Sequence, residues 1–211
     1  MNFIGIDFSI NSPGMCIING DTYNWISFFN VGEKPIENFL QQKKIPKGNQ
    51  PHLTISQMEY CKAIPYNRRK PSDDYIVDSR NKLEDACRLA DLIIDNLPEE
   101  GHVWLEGYSY GSKGNSFIDL IFFNAILRSK IYEKTNLTLS IASPSQVKKF
   151  AGIGNASKEK MQEFFLESKD NVLVESTFFK YVLSLDEVNI KPIDDLIDAY
   201  FLAAYGRSLV K

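Results

Sequence analysis

Four acidic residues occupy positions where a core element ordinarily carries an apolar side chain: Asp7, Glu106, Asp195 and Asp198. Gathered at one point without compensation, four carboxylates would repel one another and raise one another's pKa. Divalent cations remove that cost, and carboxylate oxygens without histidine or cysteine nearby suit Mg²⁺ or Mn²⁺. Two such ions can activate a water molecule and stabilise the leaving oxygen of a phosphodiester. The residue types therefore predict metal-dependent phosphodiester hydrolysis.

Each of these acids also has a structural explanation. Asp7 lies within residues 3–9, whose apolar and polar side chains alternate as in a strand with one wet face. Asp194 and Asp195 open the last predicted helix, where the helix dipole favours negative charge by about 0.3–1 kcal/mol. Asp198 fits this explanation less well, because it lies deeper in the helix and shares a face with Asp195. On spacing alone, both explanations stay open.

The composition excludes several other chemistries. The 211 residues are 44% hydrophobic and 24% charged, as expected for one globular domain or two small ones. His52 and His102 are the only histidines, so a zinc site or a histidine-based triad is nearly excluded, and we expect any metal to be held by oxygen. The three cysteines form no CxxC pair, which indicates reduced thiols in the cytosol.

The chain carries no pattern of export or membrane insertion. It enters its first predicted strand without the basic stretch that opens a signal peptide. Its most apolar run, residues 117–127, contains Asp119 and Asn124 and is too short for a bilayer. We therefore expect a cytoplasmic protein with no membrane role. The net charge of −3 does not exclude nucleic acid as a partner, because lysines can cluster away from the acids.

The N-terminal segment predicts an antiparallel meander of three strands. Residues 4–8, 15–19 and 23–29 have strand composition, and turn residues at 12–14 and 20–21 separate them. Tight turns between successive strands place each strand beside the one before it. Asp7 is thus expected in a strand that lies beside the strand at 15–19.

The segment from about residue 30 to residue 78 is rich in Lys, Asn, Gln and Pro. A loop this long in a compact domain is uncommon, so we predict a basic insertion in a single domain spanning residues 1–211. Arg68, Arg69 and Lys70 form a basic run that could order on a polyanion. A solvated insertion without a binding role is the alternative.

Helix and strand patterns follow one another from residue 79 onward, which predicts an α/β domain. The predicted elements are a helix at 79–96, a strand at 102–106, a helix at 117–134 with Ser116 as N-cap, a strand at 137–142, a short helix from Pro144, a helix at 157–168 and a last helix from Pro192 to Gly206. The apolar stretch after Asp198 predicts that the last helix is buried. Residues 169–190 show no decisive pattern.

Four short motifs, in this order, resemble the RuvC family of Holliday-junction resolvases, and more closely its phage and poxvirus branch. The motifs are IGIDFS at 4–9, VWLEG at 103–107, PSQVKK at 144–149 leading into GIGNASK at 152–158, and DLIDA at 195–199. The resemblance implies an RNase H-like fold with a mixed sheet of about five strands flanked by helices. It also implies an endonuclease that resolves four-way DNA junctions, in the host cytoplasm if the source is viral.

The resemblance further implies a two-metal nuclease whose Mg²⁺ or Mn²⁺ ligands are Asp7, Glu106, Asp195 and Asp198. Lys148, Lys149 and Lys158 match basic family positions that contact the phosphate backbone or help stabilise the transition state. Ordinary surface lysines are the alternative for these three. The turn at residues 152–155 could present backbone N–H groups to a phosphate, or serve only as a turn.

The family also carries an aromatic residue shortly after the strand glutamate, near the crossover point of the junction. Tyr108 and Tyr110 lie in that neighbourhood without matching the family spacing, and Lys113 lies in the same glycine-containing loop. Stacking of these tyrosines on a base and packing within the protein both remain open. The loop is thus a candidate DNA contact.

Family members work as homodimers that cut two strands symmetrically, so we expect a homodimer here. The helix at 117–134 is the candidate dimer surface, through the apolar side chains of Ile118, Ile121, Phe122 and Phe123. Burial of this helix within one subunit is the alternative.

Three other functions use parts of the same pattern. Another RNase H-like nuclease, acting on flaps, branched replication intermediates or RNA–DNA hybrids, would use the same carboxylates. A sugar kinase or actin-like ATPase can begin with a similar strand but needs a second comparable domain. A DNA-binding adaptor without catalysis gains nothing from acids beside the phosphates that it must approach.

Overall fold

A six-stranded mixed sheet lies between two layers of helices. The computed structural model describes residues 1–31, 55–108, 115–185 and 191–210. The strands are β1 Asn2–Asp7, β2 Gly14–Asn19, β3 Thr22–Asn30, β4 Cys61–Tyr66, β5 Gly101–Glu106 and β6 Leu137–Ala142. The helices are α1 Tyr75–Ile94, α2 Asn115–Tyr132, α3 Pro144–Ala151, α4 Lys158–Leu166, α5 Asn171–Glu175, α6 Thr177–Leu183 and α7 Ile193–Leu209. This arrangement confirms the predicted α/β fold class.

The strands follow the spatial order β4-β3-β2-β1-β5-β6. Strands β1, β2 and β3 form the predicted antiparallel meander, in which Asp7 is paired with Gly14. Strand β5 runs parallel to β1, and β6 runs parallel to β5. Because β1 and β5 are parallel neighbours, their carboxyl ends meet at the same edge of the sheet.

The segment predicted as a basic insertion contributes the sixth strand of the sheet, where about five were expected. Strand β4 pairs in parallel with β3, from Trp25 opposite Cys61 to Asn30 opposite Tyr66. Pro65 is tolerated because β4 is the outer strand among the described residues, where one of its sides has no ladder partner. The part of the insertion at residues 32–54 lies outside the described residues.

Helix ends agree with the sequence patterns at some positions and differ at others. Ser143 caps α3 in a capping box with Gln146, and Ser157 caps α4. Helix α2 begins at Asn115, one residue before the predicted cap Ser116. The stretch that showed no decisive pattern contains the two short helices α5 and α6.

The last helix extends past Gly206, which corrects its predicted end. A Cβ atom at this position would overlap the indole of Trp104 on β5. The glycine therefore permits close contact between α7 and the sheet and does not terminate the helix. The stretch from Ala199 to Ala204 is buried, as the apolar pattern predicted.

Two apolar cores lie on opposite faces of the sheet. One core joins β1, β2 and β5 to helices α1 and α2, with Ile4, Ile6, Leu89 and Phe123 among its buried side chains. The other core joins the opposite face to α3 and to helices α4–α7, around Trp25, Phe165 and Phe178. Because side chains alternate along a strand, β1 directs Ile4 and Ile6 into the first core and leaves Gly5 and Asp7 for the face of α7.

No helix among the described residues combines the length and the apolar character needed to span a membrane.

Candidate active site

Asp7 and Glu106 lie at the carboxyl ends of adjacent parallel strands. The register pairs Ile6 with Leu105, and each acid is the next residue of its strand. Side chains at equivalent positions of neighbouring strands project from the same face. The two carboxylates are therefore neighbours at one edge of the sheet.

Glycines on the meander let the last helix approach this edge. A Cβ atom on Gly5 would lie 2.5 Å from the backbone nitrogen of Ala203, and a Cβ atom on Gly14 would lie 2.5 Å from the carbonyl oxygen of Asp195. Real side chains do not fit such gaps, so only glycine allows the contact. Since Gly14 is the register partner of Asp7, the contact places the first turn of α7 beside Asp7.

The four acids influence one another electrostatically. Burial raises the pKa of Asp7 well above its usual value, and the charges of Asp195, Asp198 and Glu106 raise it further. Asp7 keeps part of its surface accessible, yet the surrounding protein removes most of the water that would stabilise its charge. The structure thus brings together the four carboxylates that the sequence analysis singled out.

Burial is also the main cause of the raised pKa values of the neighbouring carboxylates. Burial raises the pKa of Asp198 to about 7, against the opposing charge of Lys158 and with the help of Glu106. Burial also raises the pKa of Glu106, although Lys148 and Lys158 act in the opposite direction. Positive charge placed beside these acids would relieve the repulsion among them.

Lys158 lies beside these acids and is bound to a different one. Its ammonium group forms an ion pair with Asp194. Burial lowers the pKa of Lys158, but the hydrogen bond and charge of Asp194, together with Asp195 and Asp198, outweigh burial and leave that pKa raised. Lys158 therefore remains a cation at neutral pH.

Asp195 is the most deeply buried of the four acids, with 1% of its surface exposed. Its Oδ2 accepts a hydrogen bond of 2.9 Å from the Ser12 hydroxyl, and its Oδ1 is bound by the ammonium group of Lys191. Burial and the charge of Asp194 raise the pKa of Asp195, whereas Lys191 and the Ser12 hydrogen bond lower it.

The lysines of the short helix α3 face two different environments. Lys148 donates a hydrogen bond of 2.7 Å to the carbonyl oxygen of Ala156, and its charge acts on Glu106. Lys149 is exposed to solvent. Helix α3 therefore presents one lysine toward the acids and a second to solvent beside them.

Tyr108 lies just after β5, and its ring is held by the protein. The guanidinium of Arg128 lies 4.7 Å from its ring centroid, and Phe117 packs edge-on at 6.0 Å. These contacts favour a packed position near the site. Tyr110 and Lys113 lie outside the described residues.

The basic run of the insertion lies at the end of β4. Arg68 donates a hydrogen bond of 2.7 Å to the side chain of Asn11, and Arg69 forms an ion pair with Glu84. Lys70 is exposed. The two arginines thus have structural partners within the protein, and their DNA-binding role stays a prediction.

The donor chemistry of the site fits a hard divalent cation, because carboxylate oxygens of four residues converge without sulfur or imidazole. Among the residues that the structure describes, however, no three His, Cys, Asp or Glu side chains are already arranged as ligands of one ion. The present partners of Asp195 are consistent with this, since both of its oxygens are occupied. A metal ion that approaches Oδ1 of Asp195 would compete there with the ammonium group of Lys191.

Sequence reasoning missed Ser12 and Lys191. Lys191 lies four residues before Asp195 in the sequence but precedes the first residue of α7, so helical spacing did not indicate the pair. Ser12 lies 183 positions from Asp195 and forms part of a turn signal. No local pattern in the sequence connects it to the acid.

No protein-family model matches this sequence, and a search of curated proteins found no match. Several solved structures have a similar fold, and three of them are described here. RuvC of Thermus thermophilus has 16% sequence identity and a TM-score of 0.47, with 99% of this chain and 96% of that chain covered. The same RuvC in complex with Holliday junction substrate has 14% identity and a TM-score of 0.48, with 97% and 92% covered. The yeast mitochondrial Holliday junction resolvase Ydc2 has 15% identity and a TM-score of 0.51, with 96% and 75% covered.

The chain therefore has a mixed α/β fold of the RNase H-like type. Within that class, the similarity to Ydc2 extends over nearly the whole chain. At this level of identity the similarity concerns the fold, and any activity must be argued from the residues of the site.

Proposed function

We propose that this protein is a structure-specific DNA endonuclease that resolves four-way junctions by metal-dependent phosphodiester hydrolysis. The observation that carries the proposal is the convergence of four carboxylates from two parallel strands and the last helix. Motifs that resemble the phage and poxvirus resolvases include the same four acids. The similar fold of Ydc2, which is described as a Holliday junction resolvase, supports the choice of substrate.

The ligands in this proposal are Asp7, Glu106, Asp195 and Asp198. When bound, two Mg²⁺ or Mn²⁺ ions would supply an activated water molecule and stabilise the leaving oxygen of the phosphodiester. The protein itself supplies a set of acids whose pKa values are raised first by burial and then by mutual repulsion. Strands β1 and β5 fix two of the acids rigidly, and the glycine contacts hold the helix that carries the other two.

Basic residues beside the acids are proposed to hold the scissile strand. Lys158 remains protonated because its pKa is raised by Asp194, so it can accompany a phosphate into the acidic site. Lys148 and Lys149 on α3 are proposed to contact the flanking backbone. Tyr108, Tyr110 and Lys113 are proposed contacts of the loop that follows β5.

A homodimer is part of the proposal, because paired nicks on a four-way junction require two sites related by a twofold axis. Helix α2 supports this: Ile118 is 64% exposed and Phe122 is 38% exposed. Phe123, which the sequence analysis included in this surface, is buried in the core instead. Ile118, Ile121 and Phe122 therefore remain as the proposed dimer contacts.

The deciding experiment compares cleavage of a four-way junction, a flap, a linear duplex and an RNA–DNA hybrid of matched sequence, each with Mg²⁺, Mn²⁺ or Ca²⁺. We expect paired nicks in the junction with Mg²⁺ or Mn²⁺ and no cleavage with Ca²⁺. Asp7→Asn and Glu106→Gln should each lower cleavage by at least about a thousandfold while leaving junction affinity in Ca²⁺ within about threefold, because they remove ligand charge without opening a cavity.

Glu99→Gln is the matched control, because Glu99 is an exposed acid outside the site. Undiminished cleavage by Asp7→Asn would contradict the metal site. Equal cleavage of all four substrates would assign the protein to the general RNase H-like nucleases that act on flaps, branched intermediates or hybrids.

A further inference from the structure

Lys191 is the cation of the site that no motif includes. Its ammonium group is paired with Oδ1 of Asp195, and its side chain is 39% exposed while that of Asp195 is 2% exposed. The lysine lies four residues before the acid and just outside α7, so the short connecting chain keeps the two side chains near each other. A half-exposed lysine thus reaches into the site from its edge.

The pair offsets a large electrostatic cost. A buried carboxylate without a partner would lose several kcal/mol of solvation. Lys191 supplies the compensating charge on one oxygen, and Ser12 supplies a hydrogen bond on the other. The charge of Lys191 also acts on Asp7, whose other charged neighbours are acids.

Lys158 does not perform the same task. Its ammonium group is bound to Asp194, which is not among the proposed ligands. Among the ion pairs of the described residues, the Lys191–Asp195 pair is the one that includes a proposed ligand. A cation that binds Asp195 therefore competes with Lys191, whereas Lys158 can stay paired with Asp194.

From this geometry we infer that Lys191 is a built-in counter-cation of the metal-free site, which a divalent cation displaces from Asp195 Oδ1. This inference rests on the proposed function, because it assumes that Asp195 is a metal ligand. The lysine keeps the buried carboxylate compensated until the metal arrives. It also weakens the binding of the metal, since part of the binding free energy is spent on its displacement.

Loss of the Lys191 charge should have opposite effects on metal binding and on the stability of the metal-free protein. Removing the charge of Lys191 should strengthen metal binding, because a competing cation is lost. It should also destabilise the metal-free protein, because Asp195 stays buried without its ionic partner. A lysine that merely decorates the surface would produce neither effect.

The test is the affinity of the full chain for Mn²⁺, measured by calorimetry without DNA, for the wild type and Lys191→Met. We expect the Kd of the variant to fall about tenfold, which corresponds to about 1.4 kcal/mol. In EDTA the variant should melt at a lower temperature than the wild type, and saturating Mn²⁺ should reduce that difference.

Lys160→Met is the control, because Lys160 pairs with Glu163 on the exposed face of α4. It should leave the Kd for Mn²⁺ within about twofold, since its charge lies outside the site. Lys191→Arg retains the charge and serves if the methionine variant does not fold. Its Kd should equal or exceed that of the wild type.

The outcomes separate the inference from the proposed function. Wild-type binding of Mn²⁺ with an unchanged or weaker affinity in Lys191→Met would overturn the role of Lys191 alone, as would tighter binding by Lys191→Arg. Absence of Mn²⁺ binding by the wild type would overturn the proposed metal site and this inference with it.

Discussion

Burial raises the pKa of Asp7, and three acids that are distant from it in the sequence raise it further, against the opposing charge of Lys191. Lys158 and Lys191 lie at the margin of the cluster, each bound to one aspartate. An acid in such surroundings takes up a proton more readily than it does in the unfolded chain. The stability of the metal-free protein must therefore depend on pH.

Asp198 allows the sign of that dependence to be tested. Its pKa is raised to about 7, so between about pH 4 and pH 7 the folded protein binds more protons than the unfolded chain. The free energy of unfolding in EDTA should therefore fall as the pH rises through this range. Asp198→Asn removes this titrating group. The loss in the free energy of unfolding between pH 4.5 and pH 7.5 should therefore be smaller than in the wild type by on the order of 2 kcal/mol.

Urea unfolding at the two pH values measures this difference. Glu99→Gln removes an exposed carboxylate and should keep the pH dependence of the wild type. If Asp198→Asn showed the same pH dependence as the wild type, Asp198 would not be a source of electrostatic strain in the folded protein.

At the scale of elements, the contact between β1 and α7 decides whether the carboxylates meet. Gly5→Ala would place a Cβ atom against the backbone of α7 at Ala199 and Ala203. Since backbone atoms cannot move aside individually, we expect a loss of about 3 kcal/mol in the free energy of unfolding, or failure to fold. Chemical denaturation in EDTA measures the loss.

Gly154→Ala is the matched control for this substitution. Its Cβ atom would lie 3.4 Å from the carbonyl oxygen of Ser145, an ordinary contact, so the stability should change by less than about 1 kcal/mol. Equal effects of the two substitutions would show that α7 can shift without disturbing the sheet.

Helix α3 carries the second element-scale prediction, which concerns DNA affinity. If Lys148 and Lys149 neutralise backbone phosphates, their joint replacement by alanine should reduce the slope of log K against log salt by about 1 to 2. Fluorescence anisotropy of a labelled junction in Ca²⁺ at several salt concentrations provides the slope. Lys180→Ala, at an exposed ion pair with Glu175 on other helices, is the control. An unchanged slope in the double variant would remove α3 from the DNA interface.

At the scale of the whole molecule, paired cleavage depends on two copies of the chain. Phe122→Asp combined with Ile118→Asp places charge on the exposed stripe of α2 and should convert the proposed dimer to a monomer in light scattering. Nicks in the junction should then become unpaired. The fold should be retained, because both side chains are exposed.

Leu183→Asp controls for a charge placed on an exposed apolar residue elsewhere, since Leu183 is 62% exposed on α6. It should remain dimeric. A wild-type protein that is monomeric and nicks single strands would contradict the dimer, and a dimer that survives the α2 substitutions would place the interface elsewhere.

The sequence by itself determined the features that depend on neighbouring residues. Alternation in β1 placed Asp7 on the face opposite Ile4 and Ile6, and the apolar period of the last helix predicted both its burial and the shared face of Asp195 and Asp198. Strand and helix periods are local properties of the chain, so they are readable without contacts. The order of the resembling motifs then indicated the RNase H-like fold that the similarity to Ydc2 supports.

Only the tertiary structure decided which residues surround those acids. Strand β4 forms by pairing in parallel with the edge of β3. Gly206 lies inside α7, where the indole of Trp104 leaves no room for a side chain. Ser12 reaches Asp195 across 183 positions because the turn after β1 packs against the first turn of α7. Contacts of this kind depend on how separate elements pack, and no local period or turn signal encodes the distance between them.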